Sequence, residues 1–258
     1  MIDTHCHLTY DGLYERVDRV VQDAAAAGVD RMISVGTTPQ DSRKAGVLAQ
    51  RFEGVFATAG IHPHYASQVD LELAEVFLRN EAELPKVVAL GEMGLDRHYP
   101  DPPMEAQRRA FALQLELMAS FTTRPGIIHN REATDDTLAM IADHGVDGSR
   151  LVFHCFTGSE AEVEQILAIG AMVSFTGIVT FGGAKSVALA SDRVPLERLM
   201  IETDSPYLTP APHRKVKPNE PKYVPHIAAF LAERRGVALG DFVHAVDTNA
   251  RRFFGLPA

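Results

Sequence analysis

The chain opens Met1-Ile2-Asp3-Thr4-His5-Cys6-His7-Leu8, and the reading of this stretch decides the fold. Two histidines one residue apart, directly after an apolar start, fit the C-terminal end of a first β-strand. Side chains alternate faces along a strand, so His5 and His7 should project the same way while Cys6 points to the other side. Imidazoles converging on one face form half a site for a borderline divalent metal such as zinc. A His-x-His pair is weak evidence by itself, because a histidine near a strand end is more often a hydrogen-bonded core or rim residue. Its weight comes from four more ligand-type residues that end later apolar runs.

Outward from this stretch, short apolar runs recur with helical patterns between them. Candidate strands are Met1–Leu8, Arg31–Gly36, Val55–His62, Val87–Gly91, Gly126–His129, Leu151–Cys155, Ala171–Phe175 and Leu199–Glu202. Between them, Leu13, Val17, Val20, Val21 and Ala24 form a helical stripe that Gly28 stops. Phe111, Leu115 and Met118 form another, and Ile227, Leu231, Phe242, Val246 and Phe253 suit closing helices. Eight strands alternating with helices predict a single TIM-like (β/α)8 barrel of parallel strands over residues 1–258. The rival, an open doubly wound sheet, lacks its G-x-G-x-x-G after the first strand. The Pro-rich stretch Pro206–Pro225 reads as a functional loop over the barrel mouth.

With 258 residues and 46% hydrophobic content, the chain is long enough for a large core. A formal charge of -9 argues against a protein that holds nucleic acid through a general cationic field. An enzyme gripping a strand end through metals and a few local cations remains open. Cys6 and Cys155 form no CxxC pair and read as reduced, packed thiols. No basic and apolar leader precedes the first strand, and no apolar run approaches the roughly 20 residues that span a bilayer. The expectation is a cytoplasmic protein with no membrane association and no obligate protein partner.

In such barrels chemistry sits at the C-terminal strand ends. Read in order, those ends carry His5 and His7, His62 and His64, Glu92, His129, His154 and Asp204. Imidazoles plus carboxylates, one able to bridge, are what two divalent cations in one site require. His5, His7 and Asp204 are assigned to one metal and His129 and His154 to the other, with Glu92 between. Zn, Mn, Mg and Ni all suit such ligands. Asp3, two residues before His5, and Glu202, two before Asp204, should point inward and deeper, and at least one should orient a metal-bound histidine. No lysine lies at or just beyond Glu92, so a native carboxylate bridge is favoured over a carboxylated lysine.

Together these segments resemble the TatD family of metal-dependent deoxyribonucleases, within the amidohydrolase-like barrels. The matching stretches are Asp3–Leu8, Gly60-Ile61-His62-Pro63-His64, Gly91-Glu92-Met93-Gly94-Leu95-Asp96, Ile128–Ala133, His154-Cys155-Phe156-Thr157-Gly158 and Glu202–Leu208, followed by Pro218-Asn219-Glu220-Pro221. The resemblance implies a binuclear divalent site and phosphodiester hydrolysis, often as a 3′-to-5′ exonuclease on DNA ends. The six ligands read from the strand ends match the family's metal-binding positions. His62 and His64 fall where the family contacts substrate phosphate. Thr9 and Arg97 depart from the family's common residues and bear on substrate preference.

The residues support a mechanism in which two metals clamp a phosphate and activate a water. Asp204 would hold that water and take its proton, and Glu92 would fix the metal pair. His62, His64 and Arg131 would bind non-bridging phosphate oxygens. Arg214-Lys215-Val216-Lys217 offers a local cationic patch to guide a strand end, or is simply a solvated loop. The alternative is a barrel metallohydrolase acting on another bond, an amide, a lactone or an aminoacyl-tRNA ester.

Overall fold

A computed structural model describes residues 1–121 and 123–257; Thr122 and Ala258, within the domain expected over 1–258, lie outside the described residues. Eight strands form: β1 (Ile2–Cys6), β2 (Arg31–Ser34), β3 (Val55–Ala59), β4 (Val87–Asp96), β5 (Gly126–Arg131), β6 (Leu151–Phe153), β7 (Met172–Phe175) and β8 (Leu199–Ile201). Each pairs in parallel with the next in chain order. The seam between first and last is short, a bridge from Cys6 to Ser205 just beyond β8. There the His7 N–H donates to the Ser205 carbonyl at 2.7 Å and the Asp204 N–H to the His5 carbonyl at 2.9 Å. The parallel barrel predicted from the alternation of runs is the fold observed.

The helices are α1 (Val17–Ala26), α2 (Pro39–Arg51), α3 (Leu71–Ala82), α4 (Met104–Ser120), α5 (Thr134–Asp143), α6 (Glu160–Ala168), α7 (Lys185–Arg193), α8 (Val224–Arg235) and α9 (Leu239–Phe254). The stripe before Gly28 is largely buried, with Leu13, Val17, Val20 and Ala24 all inside. It joins the larger apolar layer between sheet and helices. A second cluster joins Ile2, Phe56, Val88, Ile127, Met172 and Met200, from six strands, with Phe254 and Leu256. Side chains from so many strands meet only inside a barrel. They lie near the strand starts, so the N-terminal end is plugged with hydrocarbon and the polar residues are left to the other end.

One strand is longer than its sequence pattern. The run expected over Val87–Gly91 continues to Asp96 and pairs Gly94 with His129 and Asp96 with Arg131 after a register shift between Leu90 and Met93. These glycines permit close approach between strands. A Cβ on Gly94 would lie 1.9 Å from the His129 carbonyl oxygen, and its φ of +146° is one L side chains rarely adopt. Gly91 is less tight, but a Cβ there would still lie 2.6 Å from the Ile127 carbonyl oxygen.

Gly94→Ala should therefore destabilise the protein by about 2–5 kcal/mol in chemical denaturation, from overpacking plus backbone strain. Gly182→Ala, where nothing lies within 4 Å of the added carbon, should stay within about 0.5 kcal/mol. Equal effects at the two positions would contradict the close-approach account.

Candidate metal centre

The C-terminal ends of the strands bring six predicted residues to one place. Glu92, buried within β4, stands between two sets of imidazoles. Its Oε2 faces His5 Nε2 at 3.3 Å and His7 Nε2 at 3.8 Å. Its Oε1 faces His154 Nε2 at 2.7 Å and His129 Nδ1 at 2.8 Å. Asp204 Oδ1 closes the first set, 3.4 Å from His7 Nε2 and 3.8 Å from His5 Nε2. The residues His5, His7 and Asp204 thus group together, and Glu92 lies between them and the pair His129 and His154.

Local backbone sets these directions. His7, His154 and Asp204 lie just past their strands, where the chain turns. Asp204 has φ +52° and Cys155, next to His154, has φ +44°. Left-handed conformations are uncommon for side chains other than glycine, and here they turn the carboxylate and the segment after His154 over the barrel mouth.

The donor set fits a divalent cation. In a tetrahedron with bonds of 2.0–2.1 Å, ligand atoms stand roughly 3.3–3.4 Å apart. His5 Nε2 to His7 Nε2 is 3.3 Å, His5 Nε2 to Glu92 Oε2 is 3.3 Å, and His7 Nε2 to Asp204 Oδ1 is 3.4 Å. Two imidazole nitrogens have no reason to face each other at that distance except around a shared proton or cation. In the second set the separations of 2.7–2.8 Å are hydrogen-bond lengths.

Charge tells the same story. Burial opposes ionisation of Glu92, yet the surrounding His154, His62 and His129 hold its carboxyl well below the ordinary range. Burial opposes charge on His154 too, and Glu92 and Glu202 still raise it well above the usual imidazole value. Burial and the neighbouring His154 lower His5, leaving it a neutral lone-pair donor. These carboxylates call for positive charge, which a divalent cation held by these imidazoles would supply in place of ring protons.

The surrounding carboxylates are partly as expected. Glu202 Oε1 lies 3.3 Å from His154 Nδ1 and accepts the Cys155 N–H at 2.7 Å, which aims His154 Nε2 at Glu92. Asp3 does otherwise. Strict alternation breaks between Asp3 and Cys6, and Asp3 accepts from the Thr203 N–H at 2.9 Å and the Thr203 hydroxyl at 2.5 Å rather than from a ring. Thr4, not Asp3, meets Glu202, at 3.4 Å.

Sequence reasoning passed over Asp96. Its carboxylate is fully buried, and Oδ2 lies 3.0 Å from His129 Nε2 and 2.9 Å from His64 Nε2. Asp96 and Glu92 together raise His129 despite its burial; on a neutral ring, an Nε2–H held by Asp96 would leave the Nδ1 lone pair for a cation. The signal was present in the spacing, because Asp96 follows Glu92 by four residues and shares its face if the strand continues.

His62 and His64 stand beside the cluster. The His64 backbone N–H donates to His62 Nδ1 at 3.0 Å, so in the neutral ring the proton sits on Nε2, aimed at Glu92 Oε1 3.3 Å away. Burial, outweighing Glu92, lowers His62 to about 4 and keeps it neutral. His62 is therefore a hydrogen-bond donor into the site. His64 commits Nε2 to Asp96. Arg131 ends β5 with its guanidinium 5.3 Å from the Tyr99 ring centre.

These residues floor a cavity of about 1090 Å³ whose wall includes Tyr207 and Leu208 from the Pro-rich loop. Asn219 anchors that loop through the Thr203 carbonyl at 3.0 Å and the Tyr207 carbonyl at 2.5 Å. Other expected residues fall away from it. Arg97 pairs with Asp136, Thr9 is buried, and Arg214 lies over Phe181, 3.7 Å from the ring centre. Both cysteines are free thiols. Burial pushes both well above the usual thiol value, so neither is a nucleophile. Among the described residues no helix is long and apolar enough to cross a membrane.

The sequence pattern described as TatD related DNase matches residues 2–255. A 3'-5' ssDNA/RNA exonuclease TatD of Erwinia billingiae is 39% identical over 266 residues, covering 100% of both chains. A protein named uncharacterized metal-dependent hydrolase YcfH, from Escherichia coli K12, is 37% identical over 262 residues, with 100% of this chain and 97% of the relative covered. Among solved structures, YJJV, a TatD homolog from Escherichia coli K12, superposes with a TM-score of 0.93 at 28% identity, covering 100% of this chain and 98% of that one. With its fold, its gathered imidazoles and carboxylates and these full-length relatives, the chain belongs to the TatD-related DNase family of metal-dependent hydrolases.

Proposed function

We propose that this hydrolase is a 3′-5′ exodeoxyribonuclease that cleaves phosphodiester bonds at DNA ends with two divalent cations. The observation that carries the reading is the position of Glu92, with one carboxylate oxygen toward His5 and His7 and the other toward His129 and His154. A carboxylate so placed suits two cations in one site. The relatives named as 3'-5' ssDNA/RNA exonucleases support the choice of bond.

When bound, the cations would supply Lewis-acid activation of the attacking water and of the phosphoryl oxygens. His5, His7 and Asp204 would hold one, His129 and His154 the other, and Glu92 would lie between. Burial opposes ionisation of Asp204, but His7 and His5 keep its carboxyl low, so it stays ionised and has a free oxygen lone pair to take the proton of the attacking water. His62 donates its Nε2–H to a non-bridging oxygen. Arg131 offers a forked grip on the same phosphate. His64, with Nε2 held by Asp96, would meet an oxygen through its other ring nitrogen.

Single-stranded DNA labelled at its 3′ end, with Mg²⁺, Mn²⁺ or Zn²⁺, should release labelled nucleotide, and chelation should stop release. Asp204→Ala should lower kcat by roughly 10²–10⁴-fold, as expected on losing a general base, and His129→Ala should abolish metal-dependent turnover. Absence of release with every metal, beside turnover of an aminoacyl-tRNA, lactone or amide, would replace the phosphodiester reading. Separately, Glu202→Gln should weaken Zn²⁺ or Mn²⁺ binding by roughly 10–100-fold in calorimetry, since it removes the carboxylate charge that aims His154. Unchanged affinity would deny Glu202 that part.

A further inference from the structure

Four of the six tyrosines, Tyr10, Tyr65, Tyr99 and Tyr207, line the cavity over the metal centre. Tyr10 and Tyr65 are tied together, hydroxyl to hydroxyl at 3.2 Å. Tyr99 and Tyr207 are different, being 46% and 47% exposed although both form the wall. Tyr207 touches Tyr10 edge to face, at 5.7 Å between centres, and Tyr99 meets His64 edge to face at 5.0 Å. Edge contacts of this kind steady a ring; Arg131 lies over Tyr99, 5.3 Å from its ring centre, and both rings still stay nearly half exposed to the cavity mouth. Exposed aromatic faces at the mouth of a polar cavity are costly to hydrate and suited to stacking flat π-systems.

Charge at the mouth is sparse and mixed. Among the described residues Arg131 is the one arginine or lysine that lines the cavity, while the exposed Asp101 and Glu132 stand on the same rim. A long polyanionic strand laid across this rim would set successive phosphates beside carboxylates. The run Arg214–Lys217 lies off the cavity. At about 1090 Å³ the space is just above the roughly 300–1,000 Å³ usual for small-molecule pockets, room for a small part of a strand.

We infer that the site takes only the last one or two nucleotides of a single strand, stacked on Tyr99 and Tyr207 and held by one phosphate contact at Arg131, so that short oligonucleotides serve as well as long ones. This rests on the phosphodiester reading above and narrows its substrate class. Affinity then comes from stacking and from the reacting phosphate, not from a charged track.

The test compares a labelled 3-mer and a 30-mer of single-stranded DNA between 50 and 200 mM salt. Expected kcat/KM values agree within about threefold, and log kcat/KM falls against log salt with a slope no steeper than about −1.5, one or two neutralised phosphates. Tyr99→Leu and Tyr207→Leu should each raise KM roughly tenfold, with kcat within about threefold, the loss expected for one stacked base. Tyr99→Phe, which keeps the ring, should restore KM. A 30-mer preferred more than tenfold with a slope steeper than about −3, or leucine variants with unchanged KM, would overturn the inference while leaving the nuclease reading intact. No cleavage of either oligonucleotide with any metal would remove both.

Discussion

A carboxylate buried in the middle of a barrel is expensive to ionise, and Glu92 is ionised only because imidazoles surround it on both sides. That one balance organises the C-terminal end of the fold. Each imidazole that answers Glu92 has a free nitrogen that must itself be satisfied, and this demand propagates outward. His154 turns to Glu202, which takes the Ser174 hydroxyl at 2.5 Å. His129 turns to Asp96, which also accepts the His98 N–H at 2.9 Å. His5 Nδ1 finds no hydrogen-bond partner among the described residues. Polar groups are tolerated at this depth because nearly all of them belong to one connected network.

The barrel makes that network possible by separating its two ends. Apolar side chains near the strand starts, capped by Phe254 and Leu256, carry the packing. The opposite end is thereby free to hold strained turns, close glycines and charge. Asp204 and Cys155 in left-handed backbone, and Gly94 pressed against the His129 carbonyl, are tolerable because rigid strands hold them from below. Loops alone do not provide this rigidity. The Pro-rich loop shows the complementary arrangement, since it reaches the mouth through Tyr207 and Leu208 but is pinned by Asn219.

The cavity above the candidate metal centre differs in kind from its floor. The floor is charge-dense, and the wall is aromatic, polar and nearly without cations. Such a division lets metal binding and substrate recognition vary independently, which is how one barrel family serves several substrates. The roles proposed for His62 and Arg131 belong to the boundary between the two.

Much of this was legible in order along the chain. Eight apolar runs with helical stripes between them determined the barrel, because each run must bury both faces and each stripe one. His5, His7, Glu92, His129, His154 and Asp204 stood out because ligand-type residues ended those runs in succession. What the chain did not reveal arose from contacts between strands. The length of β4, and with it the place of Asp96, depends on Gly91 and Gly94 letting β5 approach, and read locally a glycine is a stop. Of the two deeper carboxylates, it is Glu202 that orients a histidine, while Asp3, beside a register shift, binds Thr203 instead. His62 takes its tautomer from its near neighbour His64, whereas His129 is oriented by Asp96 and Glu92, which only folding brings near. Spacing along the chain determined which residues would meet; the pairing of strands decided how each one would point.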